Sequence, residues 1–202
     1  MIDFFVEKSS FVSMKTSHNK LSESAPDNDH DDLPTAPDAL LSMLDELGIA
    51  YDLYEHDAVF TVAESNYLNA DIPGLHCRNL FLRDKKKNNF LVSAQNDTEI
   101  DLKKLSDLLG AGRFSFGSPD RLWQYLGVKP GSVCPYAVVN DKDNDVTLIL
   151  DQSMMDTDIV NFHPLVNTMT IGTKPDDLVK FAKGIGHNVE VVDLSAAAPD
   201  KD

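Results

Sequence analysis

Two short apolar runs, Arg78 to Arg83 and Phe90 to Ala94, stand on either side of the polar stretch Asp84 to Asn89. Strand-length runs joined by a short polar connection predict an antiparallel hairpin, and Lys85, Lys86 and Lys87 give it a basic tip. Helical patterns flank it. Leu40, Leu41, Leu44 and Leu47 recur at helical spacing after Pro37 and stop before Gly48, with Thr35 and Asp38 spaced as a capping box. Thr61, with Glu64 three residues on, signals a second helix closed by Ile72-Pro73-Gly74. Further helices are expected at about Leu102 to Leu109, from Ser118-Pro119-Asp120 to near Gly127, and after Thr173-Lys174-Pro175-Asp176. Tyr51 to Tyr54, Thr168 to Ile171 and Val189 to Val192 read as strands. Tyr136 to Val139 with Val146 to Leu150 reads as a second hairpin around Asn140 to Asp145. Hairpins mixed with helices predict an α/β (α+β) chain with a mixed, largely antiparallel β-sheet flanked by helices, not a repeated βαβ array.

At 202 residues the chain is long enough for one well-buried core, and one domain is the expectation. Residues 1–36 combine Ser, Asn, Asp and Pro with little apolar periodicity, which predicts a disordered acidic tail. The folded domain is expected over 37–194, with a flexible end at 195–202. No uncharged apolar run approaches the ~18 residues of a membrane helix. Met1-Ile2-Asp3-Phe4-Phe5-Val6-Glu7 places acids where a secretory signal carries its bases. Cys77 and Cys134 are too few for a disulfide framework and form no Cys-x-x-Cys pair. Reduced thiols in a cytoplasmic protein, away from membranes, are expected.

The formal charge of -15 argues against a general nucleic-acid binder, DNA included. The charge is uneven, however. Residues 37–77 carry eight acids and no Lys or Arg, whereas residues 78–129 carry ten bases against six acids. That middle segment reads either as solvated hairpin and helix faces or as an anion-binding surface.

No zinc-protease helix, P-loop or Gly-x-Ser-x-Gly elbow is present. The acidic run Asp141 to Asp145 lacks the Gly and distal Glu of a calcium loop and reads as a solvated turn. Two loops stand out. Pro73-Gly74-Leu75-His76-Cys77-Arg78-Asn79 crowds four polar or reactive side chains onto the start of an apolar strand. Lys129-Pro130-Gly131-Ser132-Val133-Cys134-Pro135 is stiffened by two prolines and opened by a glycine. It reads either as a rigid turn or as an anion cradle. His163, in Asn161-Phe162-His163-Pro164, is equally compatible with a hydrogen-bonded loop histidine.

In combination these segments become specific. Gly74-x-His76-x-x-Asn79-Leu80-Phe81-Leu82-x-Asp84, Ile100-Asp101-Leu102-Lys103-Lys104-Leu105, Phe116-Gly117, Leu126-Gly127-Val128-x-Pro130-Gly131-Ser132-Val133, Leu150-Asp151 and Asn161-Phe162-His163-Pro164-Leu165 occur in this order. Over about Pro37 to Leu194 the chain resembles the prolyl-tRNA synthetase-associated editing-domain (YbaK-like) family, particularly its freestanding alanyl-tRNA(Pro) deacylases. The resemblance implies a hydrolase that cleaves the ester of mischarged tRNA(Pro) at its acceptor end, without a cofactor or metal. It makes prolyl-tRNA synthetase a candidate protein partner. It further implies that Gly131-Ser132-Val133-Cys134-Pro135 lies beside the scissile ester and stabilises developing negative charge. By the same resemblance His163 positions the aminoacyl group, Asp151 orients the loop or a water, and Asn79 holds the terminal nucleotide. His76, Gly117 and Pro135 are expected to contact substrate, and the locally basic middle segment makes Lys85, Lys86 and Lys87 or Arg113 the candidate contacts to the tRNA acceptor end.

The family usually has Lys-Asn-Leu-Phe-Leu where this chain has Arg78-Asn79-Leu80-Phe81-Leu82. Arginine keeps the charge but does not release a proton at physiological pH, so Arg78 is expected to act by charge or hydrogen bonding. Two further readings start from the same residues. One is a non-catalytic aminoacyl-tRNA or amino-acid binder; the other is a metal hydrolase built on His76, Cys77 and His163. A thiol nucleophile, Cys77 or Cys134 paired with His163, is a third chemistry that the two loops permit.

Overall fold

A computed structural model describes residues 13–16, 32–58 and 71–200. Among them a nine-stranded mixed sheet is built around the expected hairpin, β3 (Leu75–Arg83) and β4 (Asn89–Gln95), paired antiparallel from Arg83↔Asn89 to Cys77↔Gln95. β7 (Val160–Phe162) lies parallel beside the start of β3, and β5 (Ser115–Phe116) lies antiparallel beside its end. From β7 the sheet continues antiparallel through β8 (Met169–Thr173) and β2 (Tyr51–Glu55) to β1 (Ser13–Thr16). On the other side β6 (Val146–Asp151) and β9 (Val189–Val192) run parallel to β4.

Because alternate strand residues face opposite sides, the central strands bury two different sets of side chains. Phe81, Leu91, Leu148 and Leu150 join the larger core. It is closed by α1 (Pro37–Glu46), α3 (Pro119–Leu126), the 3-10 turn Pro135–Asn140 and α5 (Pro175–Gly184). Leu82, Phe90, Val92, Ala94 and Ile149 join a second core against Leu105 of α2 (Leu102–Leu108), Phe114, Leu194 and Ala197. The short α4 (Gln152–Met155) follows β6.

Several local expectations change. Tyr136 to Val139 is a 3-10 turn, so there is no second hairpin; Val146–Asp151 is a strand, but both its neighbours are parallel. Pro135 brings no N–H to a ladder, and a short uniformly buried run has no alternation to separate strand from helix. The capping box does not form: α1 has no side-chain cap, and the Thr35 hydroxyl donates instead to Asn140 Oδ1 at 2.7 Å. Asp141 is not solvated. It is buried, and its carboxylate accepts from Asp145 N–H, Val146 N–H and the His187 ring. Burial raises its pKa, but these three donors outweigh burial and hold it below the usual value.

Parts of both chain ends are among the described residues. Ser13–Thr16 forms an edge strand on β2. Leu194–Ala197 is a 3-10 turn that packs on α2, with Asp101 N–H donating to Ala197 O and Lys104 Nζ pairing with Asp200. The helix expected from Thr61 lies outside the described residues except for Asp71.

Candidate functional site

The strand β3 begins under close constraint. Gly74 has φ +107°, and a Cβ there would stand 2.9 Å from Asn161 Nδ2 and from Ile159 Cγ2, so no other residue fits without displacement. Asn161 Nδ2 donates to Pro73 O at 3.0 Å, and Leu75 N–H donates to Ile159 O at 2.8 Å. His76 follows, its Nε2 2.9 Å from Ile72 O.

Asn79 is the tether between the two loops that stand out in the sequence. Its Nδ2 donates to Val133 O at 2.8 Å, and its Oδ1 accepts from Ser93 Oγ at 2.6 Å. Ser93 is fully buried, and both ends of the Asn79 amide are matched, one by β4 and the other by the Gly131 loop. Gly131 is exposed at φ +93°, whereas Ser132 is buried and its N–H donates back to Lys129 O at 3.0 Å. The Ser132 N–H is therefore already committed to a turn.

Arg78 alternates with Asn79 along the strand and engages a different loop. One guanidinium nitrogen donates to Thr98 O, and its Nε is buried with no partner. Arg78 and the Gly131 loop are thus held by contacts on different elements. Asp151 ends β6 at the same end of the sheet, since Ser93 pairs with Leu150 while Asn79 pairs with Ser93. It is buried, and its carboxylate accepts from Ser153 N–H, Ser153 Oγ and Leu194 N–H. This makes it the N-cap of α4 and a clamp on the C-terminal turn.

His163 sits in the turn between β7 and β8, with Nδ1 2.7 Å from Met169 O. A ring nitrogen facing a carbonyl must carry the proton, which leaves Nε2 as the acceptor of the neutral ring. Burial lowers its pKa, and the neighbouring rings of His56 and His76 lower it further. His56 belongs to none of the motifs singled out along the chain. Its ring centroid lies 5.9 Å from that of His163, its Nδ1 is 2.8 Å from Asp57 O, and its Nε2 is 3.0 Å from Thr170 Oγ1. A lone histidine at a strand end carries no pattern, so only the pairing of β2 with β8 reveals it.

Both thiols are protonated at neutral pH. Burial and the nearby Asp151 charge push Cys77 up to about 12. Burial pushes Cys134 up to about 11, against backbone hydrogen bonds from Leu165, Ala137 and Tyr136. Neither has the depressed pKa of a nucleophilic cysteine. Among the described residues no group of three or more His, Cys, Asp or Glu is arranged to hold a metal ion.

The remaining candidates lie on other elements. Gly117 donates its N–H to Phe81 O at 2.8 Å, and a Cβ there would meet the Phe81 ring at 2.4 Å. Pro135 is buried at the start of its 3-10 turn. Lys85, Lys86 and Lys87 are exposed on the hairpin tip, at the end of β3 opposite His76. Arg113 is exposed beside Gly112, whose N–H donates to Asp84 Oδ2 at 3.1 Å, so the tip and Arg113 share one surface. A groove of about 670 Å³ near them, bordered by Asp101, Lys103, Ser106, Arg113 and Phe114, shares no residue with the Asn79 loop.

This geometry can be set beside known proteins. Residues 56–181 match the model of the aminoacyl-tRNA editing domain. The prolyl-tRNA editing protein ProX of Acetoanaerobium sticklandii is 38% identical over 160 residues, covering 79% of this chain and 98% of that protein. Prolyl-tRNA synthetase associated domain-containing protein 1 of Bos taurus is 36% identical over 155 residues, covering 74% and 90%. A solved structure described as a candidate trans-editing enzyme for prolyl tRNA synthetase shares the fold. Its TM-score is 0.58 at 17% identity, over 78% of this chain and 95% of that one. The chain belongs to the aminoacyl-tRNA editing domain family.

Proposed function

We propose that this chain is a trans-editing deacylase that hydrolyses the ester of mischarged tRNA(Pro), with alanyl-tRNA(Pro) as the preferred substrate. The observation that carries the reading is the Asn79 tether, which holds the Gly131 loop by Val133 O at the end of the sheet where His163 and Asp151 also lie. Members of a synthetase's own size class are hard to reject at a single pocket, because one methylene is worth only about 1–3 kcal/mol. A second, smaller site removes what the first admits. Proline is excluded from that site by volume and shape.

In this reading, water attacks the ester carbonyl, the new C–O bond forms and the bond to the ribose oxygen breaks. The proton lost by water ends on the departing ribose oxygen, relayed by the substrate's neighbouring hydroxyl. With Ser132 N–H committed to Lys129 O, the developing negative charge falls to Gly131 N–H as the proposed donor. Neutral His163 offers Nε2 to the substrate's α-ammonium group. Arg78 contributes charge and an unpaired Nε–H near the terminal nucleotide, and Asp151 acts by positioning α4 and the C-terminal turn. The proposed partners are the acceptor end of tRNA(Pro), gripped by the basic tip, and prolyl-tRNA synthetase.

The deciding assay sets alanyl-tRNA(Pro) beside cysteinyl-, seryl- and prolyl-tRNA(Pro). Hydrolysis of the alanyl ester with prolyl-tRNA(Pro) spared is the expected result. Hydrolysis of none would favour a non-catalytic binder, a reading that draws on Arg78 standing at the family's lysine position with its guanidinium tied to Thr98 O.

A further inference from the structure

His56 takes no part in the chemistry assigned so far, yet its ring centroid lies 5.9 Å from that of His163, with the two planes tilted by 53°. The two rings share one side of the sheet. Tyr54 pairs with Thr170 and Asn161 with Gly172, and Thr170 and Gly172 alternate onto the same face of β8. His56 follows Tyr54 and His163 follows Asn161 by two residues, so both rings extend that face past the strand ends.

The contacts of His56 bracket a single residue of β8. Its backbone N–H donates to Thr168 O at 3.0 Å, and its ring Nε2 lies 3.0 Å from Thr170 Oγ1. Met169, between them, supplies the carbonyl that holds His163 Nδ1 at 2.7 Å. The tautomer of His56 follows from its other nitrogen. Nδ1 faces Asp57 O at 2.8 Å and must carry the proton, so Nε2 is an acceptor and the Thr170 hydroxyl donates to it. With both ring nitrogens spent inside the protein, His56 has none to offer a ligand.

The turn that carries His163 needs such a hold. Leu165 is buried at φ +70°, a left-handed conformation that a branched side chain keeps only where its surroundings impose it. Leu165 N–H donates to His163 O at 3.1 Å, so the strain lies directly against the histidine. A neutral imidazole holds one tautomer only when a hydrogen bond selects it, and Met169 O makes that selection for His163.

We propose that His56, with Thr170, is a positioning residue for His163: it fixes the Met169 carbonyl so that His163 keeps its proton on Nδ1 and presents Nε2 as an acceptor to the aminoacyl group. The assignment rests on the editing reading for what Nε2 meets; the effect on the His163 ring itself does not.

The test combines deacylation kinetics with proton–nitrogen NMR correlations across the imidazole rings of the isotope-labelled full chain at neutral pH. His163 is assigned from the signals lost in His163→Gln. Wild type is expected to show His163 as the Nδ1–H tautomer alone. Thr170→Val keeps the shape of the side chain and removes the hydroxyl. It should bring in the Nε2–H tautomer and lower kcat/KM for alanyl-tRNA(Pro) by about 2- to 12-fold, the worth of one net hydrogen bond. His56→Ala should do the same, and Thr170→Ser should restore wild-type behaviour in both readouts. Where His56→Ala fails to fold, Thr170→Val decides. Urea midpoints that fall while the His163 tautomer and kcat/KM stay as in wild type would overturn the proposal and leave His56 a structural residue. A wild-type His163 protonated on Nε2, or an altered tautomer with kcat/KM unchanged, would overturn it as well. If the tautomer changes as expected but the wild-type chain releases no alanine from alanyl-tRNA(Pro), the deacylase reading fails and the hold on the His163 ring stands.

Discussion

The two ends of β3 are built on opposite principles. At its start, three polar side chains are tied to other parts of the fold: Asn79 is shared between Val133 and Ser93, Asp151 between Ser153 and Leu194, and His163 is bound to Met169 O. At its tip the lysines are exposed, and only the Asp84 carboxylate beneath them is spent on the backbone. Burial raises the pKa of that carboxylate, and hydrogen bonds from Gly112, Asn88 and Lys86 outweigh it, so Asp84 stays ionised as a brace. A buried, hydrogen-bonded array holds geometry to a fraction of an ångström, which chemistry requires. An exposed charged tip tolerates variation in position, which suffices for gripping phosphates. Substitutions at the start should therefore act on turnover, and substitutions at the tip on affinity.

The largest effect is expected at Arg78. Arg78→Ala should lower single-turnover deacylation by about 10²- to 10³-fold, the range for removing one electrostatic stabiliser, while Arg78→Lys retains most of it. Unchanged turnover in Arg78→Ala would remove the residue from the site. Asn79→Ala comes next. It leaves Val133 O and the Ser93 hydroxyl unmatched, so a stability loss of about 1–3 kcal/mol in urea melts should accompany a fall in kcat. A variant that loses stability but keeps kcat would make Asn79 a purely structural tether.

At the tip, replacing Lys85, Lys86 and Lys87 with Ala should raise KM several-fold, leave kcat alone and flatten the salt dependence. Each lost phosphate contact lowers the slope by about 0.7 to 0.9. A fall in kcat with KM constant would erase the distinction between the ends. The smallest effect concerns pH. His163 and His56 both titrate below the ordinary value of 6.5 because burial disfavours their charged forms. The unfolded chain thus binds more protons than the folded one just below pH 6.5. The stability contributed by keeping these rings neutral is present above pH 6.5 and lost as pH falls towards their folded values. Urea midpoints at pH 7.5 and 5.5 should differ less in His163→Gln than in wild type; an equal difference would show that His163 is not the group responsible.

Much of the sheet was legible. Apolar runs of strand length located β3 and β4, and Ser118-Pro119 and Lys174-Pro175 located two helix starts. Tyr136 to Val139 misled because a uniformly apolar run has no period, and its 3-10 form is set by Pro135 and by burial on several sides. Thr35 misled because its hydroxyl had a competing acceptor, Asn140, 105 residues away. The order of motifs singled out both loops, His163 and its neighbour Asn161, whereas His56, Thr170 and Ser93 carried no local signal.

Sequence alone determined the alternation that makes the central strands two-faced, the glycine at position 74 and the basic tip, because each follows from residue type and spacing. Tertiary structure decided the rest. It committed the Ser132 N–H to Lys129, buried Asp141 on His187, sent Arg78 to Thr98 and left Phe116 exposed. Those outcomes depend on which distant backbone group lies within about 3 Å of a donor, a distance that no periodicity in the chain encodes.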